Sequence, residues 1–299
     1  MIARQSYADL PRPLVDELAA AGLDPKAVYE HVVAAFDEDL PDGADDVTSS
    51  AMPPMGTATA DVASRETGVV AGLAVAEVAF RYALGDTLDV SRVEDGTRVA
   101  PGDVVMTVHG PVAGLLTGER TALNYASHLS GVATATAAWV DALAGSRTRV
   151  LDTRKTLPGW RSLQKYAVRC GGGVNHRFSL ADRAMVKDNH VVAAGGVVEA
   201  YELVRAAHPD LRIEVEVTDL DQLVAVIEAG CTEVLLDNMS DEEMTRAVEL
   251  TDGRATLEAS GGITLERAPR IAATGVDFVS VGALTHSVRV FDLGLDFRE

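Results

Sequence analysis

Six short apolar runs, each ending on polar residues, dictate how the second half of this chain can fold. They are VLD (150–152), AMVKDNH (184–190), IEVEVTD (213–219), EVLLDN (233–238), ATLEASGG (255–262) and FVSVG (278–282). Between the later runs lie segments such as DLDQLVAVIEAG and DEEMTRAVEL. Their apolar residues recur at three- and four-residue spacing, which predicts amphipathic helices. Strands and helices in alternation build a parallel sheet with crossover helices. Closed up, such a sheet is a β/α barrel, here with fewer than eight strands.

The first half, to about residue 115, reads differently. A helix is expected around 24–39, followed by the loop LPDGADDVTSSAMPPMG and the strand-like ATADVAS. In VVAGLAVAEVAFRYA the later part can be helical, and VEDGTRVAPGDVVMTVHGPVAGLL has short alternating segments that suggest hairpins. The last of these resembles the barrel-sandwich fold of biotinyl and lipoyl carriers. No lysine lies near the turn that would be modified, so a small β layer packed on something else is the expectation. From 119, ERTALNYASHLSGVATATAAWVDALAG predicts one long helix rich in small residues.

The chain has 299 residues and a formal charge of −19, which argues against nucleic acid as a partner because phosphate backbones call for broad basic surfaces. Two cysteines, Cys170 and Cys231, make no disulfide framework and fit a reducing compartment. The N-terminus lacks the apolar core of a signal peptide, and the apolar run at 68–80 is too short to span a bilayer and contains Glu77. A soluble cytoplasmic protein, without a membrane partner, is expected.

Against this acidic background, residues 152–190 hold eight Lys/Arg and three Asp, and three of the chain's four lysines. Arg161, Lys165 and Arg169 repeat every four residues, as one exposed helix stripe would. Arg154, Lys155, Arg177 and Lys187 instead sit at strand ends or beside GGGVNHR. In a β/α barrel the strands' C-terminal ends form the reactive rim. That rim would present Asp152, Arg154, Lys155, Lys187, Glu216, Asp237, Glu258 and Ser280. Like charges held together repel, so their convergence calls for two or three anionic groups among them. A phosphorylated sugar with a small polycarboxylate meets that requirement. The glycines of SGG (260–262) and VGALTHS (281–287) would let backbone N–H groups approach a phosphate. Lys187 has a second reading as a Schiff-base nucleophile. Glu216 and Asp237 are either polar strand caps or, paired at one rim, ligands for Mg²⁺ or ribose hydroxyls. His176 and His286 are weak signals alone, and no CxxC or HExxH supports zinc.

DTRKTLPGWR, YAVRCGGGVNHR, MVKDNH, VEVE, LLDNM, ASGGI and VGALTHS follow one another in this order, preceded by ERTALN and GVVAGL. Together they resemble the quinolinate phosphoribosyltransferase family over nearly the whole chain, with no departure at a motif position. The resemblance implies an α/β protein: an open β/α barrel over 119–287 beside a smaller mixed α/β domain over 1–118, which the chain end at 288–299 rejoins. It implies transfer of phosphoribose from phosphoribosyl pyrophosphate to quinolinate, with Mg²⁺, giving nicotinate mononucleotide, pyrophosphate and CO₂. By resemblance, Thr153, Arg154, His176, Arg177 and Lys187 bind quinolinate, with Arg120 reaching in from a second subunit of a homodimer or larger assembly. Lys155 lies by the pyrophosphate. Glu216 and Asp237 serve the ribose and the Mg²⁺, directly or through water. Ser260, Gly261, Gly262, Val281, Gly282, Ala283 and His286 hold the 5′-phosphate. Lys155, Lys187, Glu216 and Asp237 are the expected catalytic set. A non-decarboxylating relative acting on another base, a silent sensor of phosphoribosyl compounds and an aldolase-like enzyme are the competing readings.

Overall fold

The computed structural model describes residues 2–298, and the chain divides into two compact units. The first comprises Met1–Ala135, Ser162–Gly172 and Val288–Glu299, and the second Thr136–Arg161 and Gly173–Ser287. No helix among the described residues is long and apolar enough to cross a membrane.

The first unit opens with α1 (Arg12–Ala20), α2 (Pro25–Asp39) and α3 (Val47–Ala51). Asp24 caps α2 by accepting from the backbone N–H groups of Lys26 and Ala27, and Pro25 occupies the first turn, where no N–H is needed. Val28, Val32 and Phe36 then fall on one buried face. Next come β1 (Thr57–Ser64), β2 (Gly68–Val69), α4 (Leu73–Leu84), β3 (Asp89–Arg92), β4 (Arg98–Val99), β5 (Val104–Pro111) and the long α5 (Val112–Ala142). Helix α4 is buried almost throughout and packs Tyr82 on Phe36, ring centroids 4.8 Å apart.

Helix α5 starts at Val112, where the alternation and the glycines suggested hairpin through residue 116. Pro111 ends β5, and Gly114 and Gly118 are interior helix positions rather than turns. A Cβ on Gly114 would come within 2.9 Å of Leu84, and one on Gly118 within 3.2 Å of Ala83. These glycines permit close packing.

In the second unit β6 (Arg149–Leu151) precedes α6 (Arg161–Cys170), which belongs almost entirely to the first unit. The expected exposed stripe on α6 is not there: Lys165 is 0% exposed, while Arg161 is half-buried and only Arg169 lies open. The helix is tied down on both sides of Lys165. Tyr166 donates to Asp95 across 2.7 Å, and Gln164 Nε2 lies 2.9 Å from His128 Nε2.

The chain continues through β7 (Ala184–Val186), α7 (Asp188–Ala194), α8 (Val197–Ala207), β8 (Ile213–Val217), α9 (Leu220–Glu228), β9 (Glu233–Asp237), α10 (Asp241–Thr251), β10 (Thr256–Ser260), α11 (Ala268–Thr274), β11 (Phe278–Ser280) and α12 (Ala283–His286). Each of the six apolar runs overlaps a strand, and the strands form one parallel sheet in the order β6-β11-β10-β9-β8-β7. The helix starts are written locally. Asp219 caps α9, and Ser240 with Glu243 forms a reciprocal capping box on α10. Finally β12 (Leu293–Phe297) returns to the first unit, whose antiparallel sheet runs β12-β1-β5-β3. The result is a two-part α/β architecture with a parallel sheet in one part and an antiparallel sheet in the other.

Candidate active site

The second unit holds a cavity of about 310 Å³ at the carboxyl ends of its parallel strands. Thr153, Arg154, Lys155, His176, Arg177, Lys187 and Ser260 line it, together with Met185, Leu235, Glu258 and Ser280. Four of the eight cations of residues 152–190 therefore face one space.

Local structure explains how they meet. Asp152, fully buried just beyond β6, accepts from Asn175 Nδ2 at 2.6 Å and from the His176 N–H at 2.9 Å. One carboxylate thereby binds the DTRK segment to the GGGVNHR loop. Thr153 Oγ1 accepts from the Lys155 N–H at 3.0 Å, and Thr285 donates to the Lys155 carbonyl at 2.8 Å. Gly282 lies against the Lys155 side chain: a Cβ there would be 2.9 Å from Lys155 Cδ and 3.2 Å from the His286 ring. Lys187 follows β7 and forms an ion pair with Glu216 of β8. Asp237 and Ser260 are register partners at the ends of β9 and β10. Gly261 (φ +94°) leaves no room for a side chain, since its Cβ would fall 2.3 Å from Asn238 Oδ1. Gly262, Val281 and Ala283 follow the same strand ends, at β10 and β11. Arg120 stands on α5 in the first unit, 69% exposed, with Glu119 at 4.0 Å.

The electrostatics favour an anionic occupant. Arg177 is held below its ordinary pKa, first by burial and then by the like charge of Arg154. Arg154 Nε is buried and has no hydrogen-bond partner among the described residues, a cost that an acceptor in the cavity would remove. The carboxylate oxygens of Glu216 and Asp237 are hard donors of the kind Mg²⁺ takes, and Asp237 is half-buried rather than sealed in.

Beneath the cations lies a buried acid layer. His176 Nε2 is 3.0 Å from Glu214 Oε2 and 3.3 Å from Glu258 Oε2. Arg183 joins Glu214 at 3.2 Å and also pairs with Glu233. Burial disfavours the His176 imidazolium, but the two glutamates outweigh it and push its pKa up to about 9. The backbone opposes that charge, because Arg177 N–H points at His176 Nδ1 from 2.7 Å, a contact that only a neutral ring accepts. A hydrogen on Nε2, toward the glutamates, is compatible with the Arg177 contact on Nδ1. Burial and then the Glu214 charge raise Glu258, whereas His176 and Arg183 hold Glu214 low against its own burial.

Met185, Leu235, Glu258 and Ser280 complete the lining without having been assigned a role from the sequence. Three of them carry a signal that does exist there. Met185 is two residues before Lys187, Leu235 two before Asp237 and Glu258 two before Ser260, so strand alternation puts each pair on one face.

Two family models match this chain. The quinolinate phosphoribosyl transferase N-terminal domain matches residues 46–130 and the C-terminal domain residues 132–296. The nicotinate-nucleotide pyrophosphorylase [carboxylating] of Mycobacterium leprae (strain TN) is 50% identical over 275 residues, covering 90% of this chain and 97% of that protein. The probable enzyme of that name from Bacillus subtilis (strain 168) is 40% identical over 262 residues, covering 87% and 90%. The solved nicotinate-nucleotide pyrophosphorylase of Francisella tularensis superposes with a TM-score of 0.87 at 38% identity, covering 91% of this chain and 96% of that one. The chain belongs to the quinolinate phosphoribosyl transferase family.

Proposed function

We infer that this protein is a carboxylating nicotinate-nucleotide pyrophosphorylase. It transfers phosphoribose from phosphoribosyl pyrophosphate to quinolinate and releases pyrophosphate and CO₂, giving nicotinate mononucleotide for NAD biosynthesis. The convergence of Arg154, Lys155, Arg177 and Lys187 on one cavity, in a chain of charge −19, carries this reading. Quinolinate brings two carboxylates, and the sugar brings a phosphate and a pyrophosphate.

The charges supply the mechanism. Arg154 and Arg177 offer planar forks to the carboxylates, with Thr153, His176 and Lys187 beside them. Lys155 meets the charge that grows on departing pyrophosphate, and Glu216 and Asp237 face the positive charge left on the ribose. Gly261, Gly262 and Gly282 leave backbone open to the 5′-phosphate, with Ser260, Val281, Ala283 and His286 around it. Mg²⁺, held by Glu216 and Asp237 directly or through water, would supply Lewis-acid neutralisation of the pyrophosphate. Once glycosylated, the ring nitrogen is cationic and stabilises the electron pair that departing CO₂ leaves on the adjacent carbon, which then takes up a proton. The protein's main task is alignment.

The six-stranded sheet has β6 and β7 as its edges, which supports reading the second unit as an open β/α barrel. We extend the proposal to a cytoplasmic homodimer or larger assembly in which Arg120 is donated across the interface. We keep the split into residues 1–118 with 288–299 and 119–287 as its functional division.

Release of CO₂ from carboxyl-labelled quinolinate tests the function. Release that requires phosphoribosyl pyrophosphate and Mg²⁺ is expected. Pyrophosphate formed from nicotinate, without any CO₂ from quinolinate, would transfer the protein to a non-decarboxylating relative.

A further inference from the structure

Four of the eight cations of residues 152–190 line the cavity, and Arg161 is not among them. Its guanidinium is bonded to the chain instead. Nη1 donates to the Phe178 carbonyl at 2.9 Å and Nε to Thr156 Oγ1 at 3.1 Å, with Nη2 3.5 Å from the Arg154 carbonyl. These acceptors lie on the two stretches that carry the carboxylate-binding forks. Arg154 and Thr156 belong to the segment after β6, and Phe178 directly follows Arg177. The stretch beyond is closed on itself, because Asp182 accepts from the N–H groups of Phe178 at 2.7 Å and Ser179 at 3.0 Å. Arg177 Nη1 donates to the Arg183 carbonyl at its far end, at 3.1 Å.

We propose that Arg161 is a positioning residue that fixes the spacing of the Arg154 and Arg177 forks and so sets the affinity of the site for a dicarboxylate. The proposal rests on the functional reading above. The two forks need holding. After burial, the Arg154 charge is what most disfavours the charge on Arg177, so the pair repels until an anion arrives. A brace formed beforehand spares the substrate the cost of ordering them. Arginine suits this task because its donors form a rigid planar fork that reaches separate acceptors at once, which the point charge of lysine does not. Lys155, the residue after Arg154, is anchored independently of Arg161. Its N–H is held by Thr153 Oγ1 at 3.0 Å, its carbonyl by Thr285 at 2.8 Å, and its side chain lies against Gly282. Loss of Arg161 therefore loosens the dicarboxylate end of the site and leaves the pyrophosphate end in place.

Steady-state kinetics with each substrate varied in turn test the assignment. In Arg161→Met, the KM for quinolinate should rise about 10- to 100-fold, while kcat and the KM for phosphoribosyl pyrophosphate stay within about 3-fold of wild type. Arg161→Lys keeps the charge without the fork, and should leave the quinolinate KM raised by at least about 5-fold. It decides the matter alone if the methionine variant does not fold. A wild-type quinolinate KM in the lysine variant would make charge, not the fork, the operative property and overturn the proposal. Both KM values unchanged, or both raised together, would reduce Arg161 to a part of the fold and overturn it as well. A wild-type protein that forms no pyrophosphate from these substrates would instead overturn the functional reading, and the proposal with it.

Discussion

Lys187 and Glu216 form an ion pair at the carboxyl ends of the neighbouring parallel strands β7 and β8. Register produces the pair. Val186 stands opposite Val215, so the next residue of each strand comes side by side on the same face. An imine at Lys187 would have to give up this partner. Borohydride added with the substrates, or with a simple aldehyde, is expected to leave the intact mass unchanged. A reduced adduct at Lys187 would restore the aldolase-like mechanism. Lys187→Ala should lower kcat/KM by about 10²-fold, the usual consequence of leaving one partner of a sheltered charge pair alone.

Arg120 and Lys187 test whether sites are shared between subunits. Each of Arg120→Ala and Lys187→Ala is expected to be nearly inactive alone. If Arg120 acts in trans, mixed dimers regain one intact site, and random 1:1 mixing should restore about a quarter of wild-type activity. Activity that stays at the level of the separate variants would place Arg120 in its own subunit's site.

Arg183 and Arg212 both pair with Glu233, but they differ in exposure, at 14% and 70%. Arg183 also holds Glu214. Arg183→Met leaves two buried glutamates short of a cation and should cost about 3–5 kcal/mol in urea unfolding. Arg212→Met should cost under about 1 kcal/mol, as exposed pairs do. Equal losses would show that the acid layer is not held by Arg183.

Asp61 of β1 accepts two hydrogen bonds from Arg298, each 2.8 Å, and one from Thr107 at 2.6 Å. The Arg298 contact, against some desolvation, holds the Asp61 carboxyl below its ordinary 3.8. A lowered pKa contributes stability that is present above 3.8 and lost as pH falls through the folded value. Asp61→Asn should lower Tm by no more than about 4 °C at neutral pH. The gap to wild type should close as the pH drops below 3.8. A gap that persists in acid would assign the effect to packing instead.

Much of the architecture is legible in residues such as Val150, Val215 and Leu236. Their apolar runs name every strand of the parallel sheet, because strands buried on both faces read as continuous apolar stretches. The convergence of the cations at 154, 155, 177 and 187 on one cavity was readable for a similar reason, since strand ends share a rim. The same logic was not legible at Lys165, where the charge alone suggests solvent. Its burial follows from α6 joining the first unit, a tertiary choice that no local pattern encodes. Gly114 misled for a related reason, because a turn and a close helix contact need the same absent side chain. Glu258 was visible as a strand-end acid. Its burial against His176 was not, because only the tertiary fold brings those two residues together.

Strand β12 sits at one edge of the first unit's sheet, against β1, and its timing has consequences. Arg65, just after β1, and its partner Asp296 are 231 positions apart. At about 5–20 residues per second, a ribosome needs roughly 10–50 s to cover that distance. Throughout that interval β1 is an edge strand with open backbone groups, a template for pairing with other nascent chains. A late nonsense codon or a bulky C-terminal fusion that occludes residues 293–297 would therefore disable the first unit after every strand of the second had already been made.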